Sequence, residues 1–134
     1  MKTLRMVLFL VLPLFLFSCS AQLKLASRLS GEWAIEEFEV INADGSTSRM
    51  ENAGTITFMA NGRGTQTFSS TIAHLDAVNT GDFRWTNTSE TVSITGKDSS
   101  YPKAWIIMSS KRNTQHWRST DGQGNVQVMK LRKK

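Results

Sequence analysis

Short runs of alternating apolar and polar residues recur along this chain from residue 31 onward. In the first run Trp33 and Ile35 share one face, and after residues 36–37 the alternation resumes one residue out of phase at Phe38 and Val40. Successive side chains of a strand point to opposite faces. We therefore expect a β-bulge at residues 36–37, which returns both apolar pairs to one face and bends the strand.

Further alternating segments follow, separated mostly by turns rich in Gly, Asn and Asp. The strongest turn signal is Asn61-Gly62, because Asn-Gly accepts the positive φ angles of a tight hairpin. Residues 71–80 are compatible with three structures, namely a short helix, a lid-like loop or a strand edge. About eight strands, with no long amphipathic helix, predict an all-β fold. An eight-stranded up-and-down antiparallel barrel leaves no open edge, and a β-sandwich is the alternative.

The first 18 residues read as an export signal. A basic start precedes an apolar run at residues 6–17, which at ~1.5 Å per residue gives roughly 18 Å of helix, short of the ~30 Å hydrocarbon layer. The run ends in Leu16-Phe17-Ser18-Cys19, which resembles a lipobox, and Cys19 is the single cysteine of the chain. Lipidation of Cys19 is the expected reason for an unpaired cysteine in an exported protein.

These features divide the chain into a lipoprotein signal peptide at 1–18, a lipidated tether at 19–29, a barrel at 30–132 and a basic tail at 133–134. Within the tether, Leu23, Leu25 and Leu29 either form a helical turn that closes one barrel end or are disordered. We expect a cell-envelope protein, lipid-anchored to the outer membrane. Because no acidic residue follows the cysteine closely, the periplasmic face is favoured.

The net positive charge of the sequence comes from the two ends of the chain. The formal net charge is +5, but two basic residues lie in the leader and four lie in the last five positions, so residues 19–129 carry 10 basic and 11 acidic side chains. A nucleic-acid-binding protein concentrates Lys and Arg with aromatic residues on one face. We therefore expect a membrane partner through the lipid, and no nucleic acid.

Two motifs carry a resemblance to a known family. Gly31-x-Trp33 opens the first strand, and the run from Phe58 to Phe68 (FMANGRGTQTF) joins two strands through Asn-Gly-x-Gly. Together they resemble the lipocalin-like domains of bacterial lipoproteins, with a calycin-type β-barrel. The resemblance implies structural roles for Gly31 and Trp33, with a basic side chain of the last strand covering the indole by a cation–π contact. Arg132 is the candidate for that cation, and Arg118 is the alternative.

The resemblance also implies a small hydrophobic ligand inside the barrel. An eight-stranded barrel has an interior that side chains just fill or that holds one small ligand. The inward-facing candidates for ligand contact are Ile56, Phe58, Phe68, Phe83, Trp85, Ile94, Ile107 and Trp117.

The alternative is a filled barrel that acts as a protein-interaction or inhibitor module and binds another envelope protein in the periplasm. Met59, Met108 and Met129 on outer faces, and the segment 104–108, which is apolar on both faces, motivate that alternative.

Catalytic chemistry has little support in the sequence. His74 and His116 are the only histidines and lie far apart, which gives too few ligands for a four-coordinate metal site. The acidic residues of the first strand are expected mainly on its solvent face, Glu37 and Glu39 among them, and so do not form the paired carboxylates of a glycosidase. We expect no enzyme, no catalytic residue, no metal and no cofactor.

Overall fold

The computed structural model describes residues 20–68, 81–96, 103–120 and 122–134, and every structural statement below concerns these residues. They contain one helix, α1, at residues 20–29. The strands are β1 (Gly31–Ile41), β2 (Thr47–Phe58), β3 (Arg63–Phe68), β4 (Gly81–Asn87), β5 (Thr91–Gly96), β6 (Lys103–Ser110), β7 (Thr114–Thr120) and β8 (Val126–Lys133).

The eight strands follow each other around a closed barrel in sequence order. Every strand pairs antiparallel with the next, and β1 also pairs with β8 from Trp33–Lys133 to Ile41–Val126, which closes the sheet. Closure leaves no strand edge exposed to another chain. The predicted up-and-down barrel is confirmed, and the sandwich alternative is excluded. The segment 71–80 lies outside the described residues.

The predicted bulge in β1 is present. Ile35 pairs with Leu131 and Glu37 with Lys130, so Glu36 is an extra residue on the β1 side of the β1–β8 ladder. As a result, the two apolar pairs on either side of the bulge share the inner face, and all four side chains are at most 8% exposed. These are Trp33, Ile35, Phe38 and Val40.

A second irregularity lies beside the first, on β2. Ile35 pairs with Gly54 and Glu37 with Glu51, so β2 carries an extra residue at the same level. Asn52 accommodates it with a φ of 50°, a left-handed conformation that Asn adopts more readily than most residues. The barrel wall therefore bends where both of these paired strands are irregular.

Glu37 lies on the outer face as expected, but it is only 8% exposed. Arg49 lies 3.0 Å from its carboxylate and Lys130 lies 3.4 Å from it. The two long side chains cover the carboxylate and neutralise it together, which explains why an acidic residue is buried on the outside of the barrel.

The two ends of the barrel differ. We call the closed end the one where the β2–β3, β4–β5 and β6–β7 turns lie together with α1 and the last residues of β8. There α1 places Leu25 and Leu29 in the hydrophobic core at 6% and 0% exposure, while Leu23 is 69% exposed. Of the two alternatives for this segment, the helix is the one observed. The opposite end, with the β1–β2 and β7–β8 turns, is called the mouth.

In the described part of the chain, no helix has the length and apolar character needed to cross a bilayer.

Candidate ligand-binding barrel

Trp33 seals the closed end. Its side chain is fully buried, and its Nε1 donates a 2.8 Å hydrogen bond to the carbonyl oxygen of Leu29 in α1. The ammonium of Lys133 lies 5.3 Å from the indole ring centroid and donates hydrogen bonds to the carbonyl oxygens of Arg28 and Ser30, at 3.1 and 3.2 Å. One indole and one ammonium thus tie the helix, β1 and β8 together.

Gly31 makes room for this contact. Its φ is 127°, a region that favours glycine, and a Cβ at this position would lie 3.3 Å from Cε of Lys133. The predicted structural role of Gly31 therefore has a specific form, since the missing side chain leaves space for the lysine stem as well as an unstrained entry into β1.

The cation over Trp33 is Lys133, and this corrects the prediction of Arg132 or Arg118. β8 runs to Lys133, a residue expected in the tail, and pairs it directly with Trp33. Arg132 points to the opposite, outer face, where it forms an ion pair with Glu36, and that carboxylate raises the pKa of the guanidinium. Arg118 is exposed on β7, opposite Val128 on β8.

A cluster of aromatic rings fills the interior around Phe58. Its ring centroid lies 5.6 Å from that of Phe83, 5.2 Å from that of Trp85 and 5.7 Å from that of Trp117, all with edge-to-face geometry. This geometry is the favourable one for aromatic pairs. A Cβ on Gly64 would overlap the Phe83 ring, so this glycine of the Asn-Gly-x-Gly turn gives the cluster its space.

All eight residues predicted to face inward do so. Six are buried, and Phe68 and Ile107 are partly buried and pack against the core. The six buried ones are Ile56, Phe58, Phe83, Trp85, Ile94 and Trp117. Their contact with a ligand stays a prediction, because the same positions serve a filled core equally well.

The mouth half of the interior contains residues that the sequence analysis did not assign to the site. Phe38 contacts Phe68 and Trp105 edge-to-face, with ring centroids 5.9 and 6.3 Å apart. Met129, expected on an outer face, is 2% exposed inside the barrel. The alternation along β8 was the signal for Met129, because its neighbours two residues away, Gln127 and Leu131, share its face.

The buried polar side chain of Gln115 has hydrogen-bond partners for both atoms of its amide group. Gln115 donates to Oγ of Ser110 at 2.9 Å and to the carbonyl of Lys111 at 3.2 Å, and it accepts from Nε1 of Trp117 at 3.2 Å. Buried polar groups are normally paired in this way. Gln115 thus holds the β6–β7 turn against the aromatic cluster.

Gln127 is different. It lies near the mouth, and its cross-strand partners Val40 and Ser119 are both buried, so its side chain faces inward. Its Oε1 oxygen is buried and accepts no hydrogen bond within the described part of the chain. Leaving such an acceptor unpaired costs about 1–3 kcal/mol, so a hydrogen-bond donor at this position, from water or from a bound group, would stabilise the protein.

Of the two histidines considered for metal binding, only His116 is among the described residues. Across residues 20–68, 81–96, 103–120 and 122–134, no group of three His, Cys, Asp or Glu side chains converges. His116 is half-buried on the outer face of β7, opposite Lys130. His74 and Cys19 lie outside the described residues.

Comparisons with protein-family models, with curated proteins and with solved structures find no match. The interior geometry of the barrel and the residues at its two ends are therefore the basis for a functional proposal.

Proposed function

We propose that this chain is a lipid-anchored envelope lipoprotein with a lipocalin-like barrel that binds a small hydrophobic ligand. The barrel fold fits that role, and the single observation that carries the proposal is the difference between its ends. Trp33, Lys133 and α1 seal one end, whereas near the mouth the apolar interior includes the partly buried Phe68 and an oxygen of Gln127 that accepts no hydrogen bond from a described residue. Ligand sites combine an apolar lining with a few polar groups that fix orientation.

Ligand content tests the proposal directly. We expect native mass spectrometry of the protein extracted from its own membranes to show a bound molecule, and the emptied protein to take up the neutral dye N-phenyl-1-naphthylamine. A protein that is reproducibly empty and excludes the dye contradicts ligand binding.

The variant Gln127→Leu separates binding from folding. It removes a buried acceptor without a described partner, so we expect unchanged or higher stability together with loss of ligands that donate a hydrogen bond. Gln123→Leu on the exposed β7–β8 turn is the matched control and keeps the wild-type ligand profile. Identical ligand profiles in both variants would rule out Gln127 as a ligand contact.

The anchor is tested separately. We expect metabolic labelling with an alkynyl fatty acid to mark the wild-type protein and not Cys19→Ala, and the unlabelled variant to leave the membrane fraction. Labelling that survives in Cys19→Ala removes the lipobox assignment while leaving the barrel proposal untouched.

A second function, a protein-interaction module, is favoured by the outer face of β6. Ile106 and Met108 point outward at 52% and 55% exposure, next to each other on that face. If this strand contacts an envelope protein, Ile106→Ser with Met108→Ser abolishes cross-linking in intact cells, while Met59→Ser at the exposed β2–β3 turn does not. Cross-links that are unchanged, or absent from the wild type, exclude this function.

A further inference from the structure

A basic cleft of about 450 Å³ lies at the closed end of the barrel, between the β6–β7 turn and the end of β8. A hydrogen bond of 2.9 Å from the backbone nitrogen of Lys133 to the carbonyl oxygen of Asn113 joins the two segments. Four of the five lining residues are cations. The lining consists of Arg112, Asn113, Arg132, Lys133 and Lys134.

Acidic side chains neutralise only part of this end. Glu36 pairs with Arg132 and Glu32 pairs with Lys134. No ion pair to a described carboxylate is present at Arg28, Lys111 or Arg112, and the guanidinium of Arg28 bonds to the carbonyl and hydroxyl oxygens of Ser110. The closed end therefore carries an excess of positive charge, concentrated at the β6–β7 turn and the end of α1.

The helix α1 lies across this same end. The side chain of Gln22 donates to the carbonyl of Asn87 at 2.8 Å, beside the β4–β5 turn, and Arg28 reaches Ser110 beside the β6–β7 turn. The outward side of α1 presents the exposed Leu23 next to Lys24. An exposed leucine beside basic residues is typical of a surface that rests in the interface of an anionic bilayer.

We propose that the closed end docks on a bilayer of anionic phospholipid, with a lipid phosphate in the basic cleft and Leu23 in the interface. The proposal rests on the lipid anchor at Cys19 proposed above, one residue before the described start of α1. A tether this short gives the closed end a high effective concentration at the surface, so that contacts too weak to recruit a free protein are occupied. Docking in this orientation points the mouth away from the membrane.

Photo-crosslinking tests the orientation in the full-chain protein. The photoreactive residue p-benzoylphenylalanine replaces Asn113 in the cleft or, as the positional control, Asp44 at the mouth. Each protein is placed in nanodiscs of two parts phosphatidylcholine to one part phosphatidylglycerol, or of phosphatidylcholine alone. We expect phosphatidylglycerol adducts at position 113 and none at position 44.

Charge variants then test whether the basic side chains of the β6–β7 turn cause the docking. Each basic residue at an anionic surface contributes roughly a factor of five, so Lys111→Gln with Arg112→Gln lowers the adduct yield at position 113 by about tenfold or more. Arg84→Gln with Arg118→Gln removes the same charge from exposed positions on β4 and β7 and leaves the yield unchanged. Salt at about 1 M, where the Debye length is about 3 Å, suppresses the adduct in the wild type.

Several results would overturn the proposal. Equal adduct yields at positions 113 and 44, or in neutral and anionic discs, contradict docking by the closed end. An equal loss in both double variants assigns the effect to net charge rather than to the cleft. If inorganic phosphate at low millimolar concentration abolishes the adduct, the cleft is a site for free phosphate. The intact mass of the amino-terminal peptide shows independently whether Cys19 is acylated, so failure of the anchor and failure of docking are distinguishable.

Discussion

At the scale of single residues, the contact between Trp33 and Lys133 combines three interactions in one buried place. The indole is fully buried, its nitrogen is bonded to Leu29, and the ammonium both lies over the ring and holds two carbonyl oxygens next to α1. Truncating a buried tryptophan to alanine typically costs about 3–5 kcal/mol. The same contact thus determines how firmly α1 is held on the barrel.

Replacing Lys133 by methionine separates the contribution of its ammonium group from that of its aliphatic side chain. Lys133→Met keeps most of the apolar stem and removes the cation–π contact and both hydrogen bonds, so we expect a loss of about 1–3 kcal/mol in the free energy of unfolding. Lys134→Met removes an exposed ion pair with Glu32 and costs about 0–1 kcal/mol. Urea unfolding of both variants measures the difference. Equal losses in the two proteins would contradict the role assigned to Lys133.

Asp44 provides a pH-dependent signal at the β1–β2 turn. Its carboxylate accepts hydrogen bonds from the hydroxyl and the backbone nitrogen of Ser46, at 2.6 and 2.9 Å, and these lower the pKa of Asp44 below its ordinary value of 3.8. The stabilisation is therefore present above the unfolded-state pKa and is lost as the pH falls through the lower folded-state pKa.

Substitution of Ser46 tests this assignment. We expect Ser46→Ala to raise the pKa of Asp44, because the hydroxyl is the largest cause of the shift. An NMR titration of the Asp44 carboxyl carbon measures this pKa. Ser48→Ala, two residues further along the chain and on β2, leaves the pKa of Asp44 unchanged. A Ser46→Ala protein with the wild-type titration would show that the hydroxyl bond does not form in solution.

Trp33 is predictable from the Gly31-x-Trp33 motif, whereas its partner depends also on the alternation of side chains along β8. The resemblance suggested a basic residue on the last strand, and the choice of Arg132 ignored the alternation of side chains along that strand. Met129 and Leu131 face inward, so Lys133 does too and Arg132 does not. What the sequence did not reveal was that β8 extends as far as Lys133.

At the scale of elements, the bulge in β1 was predictable because apolar residues flank it on both sides and record the change of phase. The extra residue in β2 was not predictable in the same way. Its surroundings, residues 47–53, contain Met50 and Ala53 as their only apolar side chains, so no alternation is interrupted there. A register shift becomes visible in a sequence only where a hydrophobic pattern crosses it.

Deleting one residue tests the bulge as an element. Without Glu36 the strand alternates regularly through Ile35, Glu37 and Phe38, so both apolar pairs still face inward while the extra residue that bends β1 is gone. We expect the deletion variant to fold, measured as retained near-ultraviolet circular dichroism from the buried tryptophans, but to unfold at a lower urea concentration because β1 has lost its bend.

The matched control keeps the bulge. Glu36→Ala removes the ion pair with Arg132, which is largely exposed, so we expect its stability to stay close to that of the wild type. A deletion variant with stability equal to that of Glu36→Ala would mean that the bend at the bulge does not stabilise the barrel.

At the scale of the whole molecule, the closed barrel followed from the strand count and the short turns, whereas the content of its interior did not. The inward positions are the same in a filled barrel and in one that holds a ligand, and both are apolar. The difference depends on how the rings pack, such as the edge-to-face contacts of Phe58, and on isolated polar atoms such as Oε1 of Gln127. Neither leaves a pattern in the order of residues.

The number of paired residues differs between neighbouring strands of the barrel. In the described residues the β1–β2 ladder joins ten residue pairs, whereas the β3–β4, β5–β6 and β6–β7 ladders each join four, the first of them from Arg63–Arg84 to Gln66–Gly81. An open groove of about 680 Å³ runs along the β3–β4 ladder, with Thr65 and Asp82 in its lining. Segments with fewer backbone hydrogen bonds and more solvent contact open at lower free energy than the whole molecule unfolds.

Hydrogen exchange should therefore divide the barrel into two parts. We expect amides of β1, β2 and β8 to exchange with the free energy of global unfolding, and amides of β3 and β4 to exchange through local opening that is cheaper and less dependent on urea. Native-state exchange at several urea concentrations, read by mass spectrometry of peptides from each strand, measures both quantities. Repeating it with bound N-phenyl-1-naphthylamine tests the link to function, because a ligand that enters beside β3 and β4 raises their protection selectively. Uniform protection around the barrel, with a single urea dependence, would mean that it opens only as a whole.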